Sequence, residues 1–111
     1  MITYRITVPG ILLLLLLLPG LAVGHKVNLF AYAEAGRIYV EGYFPDGRSV
    51  SNGKVKVFDS ADQLLLEGKT DPDGLFNFPI PKTKDLSIVL DAGMGHKTTF
   101  TLKKSEIKPE R

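Results

Sequence analysis

A carboxylate, a thioether and an imidazole fall within six residues in the segment Asp91-Ala92-Gly93-Met94-Gly95-His96. Asp91, Met94 and His96 are candidate metal donors, and Gly93 and Gly95 give the backbone the freedom to bring them together. Imidazole nitrogen suits nickel, cobalt and copper, with affinity rising toward copper; Met94 favours a soft ion such as Cu(I), and Asp91 a harder one. The other histidine, His25, directly follows Leu21-Ala22-Val23-Gly24. Cleavage after Gly24 would make it the first residue, and its free α-amine and ring Nδ1 would then close a six-membered chelate on one ion. Both nitrogens must lose protons, so such a site weakens as the pH falls. The plainer alternatives are a solvent-facing histidine beside a glycine turn, an aspartate capping that turn, and a methionine closing one end of a core.

Other chemistry finds less support. The chain has no cysteine, so thiol catalysis, a disulfide framework and a lipid-modified cysteine are all excluded. A nucleophile elbow and a phosphate-binding glycine loop are also missing from the sequence. Asp71 and Asp73 form an acidic pair, but within Thr70-Asp71-Pro72-Asp73-Gly74 the ordinary work of such carboxylates is to bond nearby backbone amides. The expectation is a protein that is not an enzyme.

The elements that would position these residues begin after a leader. Residues 1–24 carry one basic residue, Arg5, an unbroken aliphatic run over 11–18, and small residues Ala22 and Gly24 where a signal peptidase reads. Cleavage after Gly24 is the expected fate. The alternative is an uncleaved anchor, because residues 6–24 approach the roughly 20 apolar residues that cross a bilayer. Either way the remainder is exported, to the periplasm or the extracytoplasmic face of the cytoplasmic membrane. Removing Arg5 leaves 13 of the 14 basic residues against 12 acidic ones, a formal charge of +1. That is no footprint for nucleic acid.

Residues 25–103 read as one all-β domain of seven short strands separated by turn signals, an antiparallel β-sandwich. The strands are expected over 26–34, 37–44, 54–59, 63–69, 75–78, 85–91 and 96–103. Val27, Leu29, Ala31 and Ala33 alternate with Phe30 and Tyr32; Ile38, Val40 and Phe44 alternate with Tyr39, Glu41 and Tyr43. The turn Ser60-Ala61-Asp62 predicts a hairpin, Phe76 and Phe78 should face the core, and Pro79 and Pro81 confine the end of their strand to a sheet edge or a bend. Residues 104–111 read as a polar tail.

The stretch "EGKTDPDGLFNFPIP" resembles the motif of carboxypeptidase regulatory-like and transthyretin-like domains, which implies a sandwich of immunoglobulin-like or transthyretin-like type. More of the chain is similar to a second family. A leader ending before "HKVNLFAYAEAGRIYVEGYF", a central "GKTDPDGLFNF" and a terminal "LDAGMGHKTTFTL" resemble the small extracytoplasmic accessory component of energy-coupling-factor type nickel or cobalt importers. The resemblance implies a transiently bound Ni or Co ion as cargo, a membrane-embedded metal-specific subunit as partner, and a place at the membrane surface. Two other readings stand beside it. Met94 with two histidines suits a periplasmic copper-binding protein, and outward Tyr32, Tyr39 and Tyr43 suit a structural or carbohydrate-binding module.

Overall fold

The computed structural model of the chain describes residues 26 to 107. The leader, His25 and residues 108–111 lie outside the described residues. Seven strands follow one another as β1 (Asn28–Glu34), β2 (Arg37–Tyr43), β3 (Lys54–Phe58), β4 (Leu64–Lys69), β5 (Leu75–Pro79), β6 (Leu86–Gly93) and β7 (His96–Leu102). They form two antiparallel sheets, β1-β2-β5 and β4-β3-β6-β7. The sheets share one apolar core, a sandwich-like arrangement with the expected seven strands. Pro79 closes β5 at a sheet edge, where its missing N–H breaks no ladder.

Alternation in the sequence becomes alternation across each sheet. Leu29 and Ala31 of β1 are buried while Phe30 and Tyr32 between them are exposed. Ile38 and Val40 of β2, Val55 and Val57 of β3, and Leu86, Ile88 and Leu90 of β6 fill the space between the sheets. Each such side chain contributes about 1.5 to 3 kcal/mol of transfer free energy. Phe78 is buried among them, and half-buried Phe76 packs over the Cα of Gly68, where a Cβ would stand 2.4 Å from its ring.

The loops are tied down by polar contacts, of which those of Thr70 are buried. Thr70, at the end of β4, donates its hydroxyl to the Val50 carbonyl and accepts the Gly53 N–H at 2.8 Å. Asp71 accepts the N–H groups of Asp73 and Leu75, the turn-forming role expected of it. The Gly74 carbonyl then accepts the Gly42 N–H, and the Gly42 carbonyl accepts the Val50 N–H. On the β3–β4 hairpin, buried Asp59 accepts from Ala61 and Gln63 and lies 3.3 Å from the Lys82 ammonium. These contacts, led by the Gln63 N–H, hold the Asp59 carboxyl below the usual carboxylate range.

The packed domain continues past Leu102. A 3₁₀ turn spans Lys104–Glu106, and Ile107 is only 2% exposed. Lys104 donates its N–H to Asp85, and Glu106 reaches back to the Lys103 N–H. A single isoleucine among charged neighbours barely changes the polarity of a segment, so the sequence reads these residues as tail while the core holds Ile107.

Candidate functional site

The donor-rich segment forms a two-residue hairpin joining β6 to β7. Met94 and Gly95 both have positive φ, 53° and 85°, as a type I′ turn requires. Asn-Gly is the usual occupant of such a turn. A methionine in the left-handed region costs about 1 to 2 kcal/mol. Met94 recovers none of that by packing, for it is 92% exposed. It does not plug the core.

Ahead of the turn the register slips. Asp91 pairs with Lys97 and Gly93 with His96, so Ala92 is left as a bulge. The Asp91 carboxylate accepts the Gly93 N–H at 2.8 Å, the bond of a turn cap. Asp91 stands on the outer face of its sheet between its strand partners Lys54 and Lys97. His96 is on the other side of β7, in line with Phe100 and buried Leu102. Its half-buried imidazole meets the ring of Phe44 edge to face, with centroids 5.5 Å apart and planes at 83°.

Phe44 follows β2 and carries a second cluster. The Arg48 guanidinium lies over the Phe44 ring at 4.7 Å from its centroid and holds the Asp46 carboxylate at 2.7 Å. The Asp46 carboxyl is held below its ordinary range, by the Arg48 N–H first and the guanidinium second. Phe44, Pro45, Asp46 and Arg48 form one wall of an open depression, and Ala92, Met94 and His96 form the other. Asn28 pairs with Tyr43, the residue before Phe44, so β1 begins at this same end of the domain.

The four expected donors therefore separate. Met94 and His96 share the depression, Asp91 faces away from it, and His25 lies outside the described residues, bonded to Lys26. Among the described residues no group of three or more His, Cys, Asp and Glu side chains is placed to hold a metal ion. The Phe44–Arg48 wall was not visible as part of a site from the sequence, where Pro45-Asp46-Gly47 reads only as a turn. On the outer face of the other sheet, Tyr32 and Tyr39 stack on each other at 5.4 Å, a cross-strand pair, and the Tyr43 hydroxyl donates to Glu41.

Comparison with protein-family models, curated proteins and solved structures finds no match.

Proposed function

We propose that the chain is an extracytoplasmic accessory subunit of a nickel or cobalt importer, with a sandwich of transthyretin-like type, and that it passes the ion to a membrane-embedded metal-specific subunit. The observation that carries this reading is the company kept by the β6–β7 turn. Met94 is exposed in an unfavourable backbone conformation without any packing reason, His96 stands beside it against Phe44, and β1 begins at the same end. A strained, exposed apolar residue is an outlier from which a functional role is fairly inferred. In this reading the donors are His25, with its α-amine, together with His96 and Met94. Asp91 shapes the turn and leaves the ion alone. The carboxylate of Asp46 is engaged by Arg48 and gives the depression its polarity.

The test is a titration of Ni(II), Co(II) and Cu(II) into the exported part beginning at a free His25, compared with the same part carrying one extra residue before it. The extension removes the amine from the chelate and leaves the core unchanged. An affinity loss of tenfold or more, about 1.4 kcal/mol, supports the amino-terminal chelate. Equal affinity in the two forms overturns it. Selective Cu(I) binding that disappears in Met94→Ala moves the reading to a copper-binding protein, for which the exposed thioether is the favouring observation.

A further inference from the structure

The lysines of the strands are gathered on one side of the molecule. On the outer face of the four-stranded sheet the register aligns Lys69, Lys54, Asp91 and Lys97 in a row across all its strands, and Lys56 stands in the next row between Glu67 and Val89. All four lysines are exposed. None of their ammonium groups is in an ion pair: among the described residues those pairs are Arg48 with Asp46 and Lys82 with Asp59. Asp91 is engaged with the Gly93 N–H. A shallow groove runs between Lys54, Lys56 and Lys97, floored by Phe58 and Val89. The opposite sheet has no lysine in its strands and turns Phe30, Tyr32 and Leu75 outward. Four lysines against Asp91 and Glu67 leave the strands of this face a formal charge of +2, while the exported part as a whole carries +1.

We propose that the outer face of the β4-β3-β6-β7 sheet rests on the anionic lipid headgroups of the membrane surface. Three features choose this occupant. The charges form a two-dimensional array, one row spanning about 14 Å at the usual strand spacing, where a single bound peptide would trace one line. The cations of the sheet's strands are all lysines, point charges suited to a diffuse anionic layer, where bidentate recognition of one carboxylate or phosphate calls for arginine. No buried donor on this face builds a site for an individual anion. Lys54, Lys69 and Lys97 also lie at the strand ends nearest the start of β1, the end from which a retained leader would depart. The proposal does not depend on metal binding.

The experiment is co-sedimentation of the exported part, beginning at His25, with phosphatidylcholine vesicles and with vesicles containing about one-third phosphatidylglycerol. This part retains the whole described core, which runs from Val27 to Ile107. Binding should require phosphatidylglycerol and weaken steeply with added salt. It should fall about tenfold or more in Lys54→Glu/Lys97→Glu and stay unchanged in Arg37→Glu on the opposite face. The neutral pair Lys56→Gln/Lys97→Gln should give a smaller loss, and circular dichroism shows whether each variant is folded. Equal binding to both vesicle types, or no effect of the lysine changes in folded protein, overturns the proposal. So does tighter binding to soluble polyglutamate than to anionic vesicles, which would make the face a site for an acidic protein.

Discussion

Gly74 lies so close over Gly42 that a Cβ on it would stand 2.5 Å from the Gly42 carbonyl oxygen. Its φ of +78° adds a second reason for glycine, and its own carbonyl accepts the Gly42 N–H. Gly74→Ala is therefore expected to cost about 2 to 4 kcal/mol, the left-handed penalty plus a clash with backbone that cannot swing aside. Gly47 has φ +93° but open space around it, and Gly47→Ala should cost only about 1 kcal/mol. Urea midpoints of the two variants measure the difference, and equal midpoints would deny the close approach.

Thr70 holds two loops together through one hydroxyl. Replacement by valine keeps the shape but strands the Val50 carbonyl and the Gly53 N–H, and should cost about 2 kcal/mol. Thr70→Ser, which keeps the hydroxyl, should lose less. Denaturant unfolding of the pair separates lost hydrogen bonding from lost packing.

Asp59 gives a pH dependence whose sign follows from its partners. Its carboxyl is depressed below the ordinary value of 3.8 by the Gln63 N–H, the Lys82 ammonium and the Ala61 N–H. The native state thus prefers the carboxylate, and the resulting stability is complete above the unfolded value and lost as the pH falls through the folded one. Asp59→Asn should unfold more easily at neutral pH, with its stability curve converging on that of the parent chain below about pH 4. Parallel curves over the whole acid range would show that Asp59 is not the group responsible.

Ile107→Ala is expected to destabilise by about 2 to 4 kcal/mol, the range for a large buried aliphatic side chain. Lys103→Ala, on an exposed side chain a few residues earlier, should change stability by less than about 0.5 kcal/mol. Thermal unfolding of the two variants distinguishes a packed segment from a solvated one.

At the β6–β7 tip, the placement of the side chains predicts unequal consequences. His96→Ala should lower nickel affinity about tenfold or more, whereas Asp91→Asn should leave it unchanged because the amide oxygen can still accept the Gly93 N–H. Calorimetric titration of both variants gives the comparison, and a large loss in Asp91→Asn would return that carboxylate to the donor set.

Much of the framework could be read from the chain. The alternation of Leu29, Ala31, Ile38, Val40, Val55 and Val57 with polar or aromatic neighbours marks three strands and their inward faces, and the Asp71–Gly74 turn announces itself by type. Strand ends agree with the sequence reading to within two residues. The site was less legible for a physical reason. A hairpin brings residues close in sequence to opposite faces of a sheet, so the nearness of Asp91 to His96 in the chain concealed their separation. Phe44, far from His96 in sequence, meets its ring across the sandwich, and Arg48 joins the same depression by lying over Phe44. Ile107 stayed hidden because one buried side chain has no period.

Burial of Ile107 also bears on the order in which the molecule can form. The core draws on Val27 near its beginning and Ile107 at its close, and β6 and β7 are the last strands to be made. A chain synthesised from its amino terminus can form the β1–β2 hairpin early. It cannot complete either the larger sheet or the core until almost the whole domain has emerged. The contacts that finish the fold thus span long stretches of sequence, which makes their formation slow.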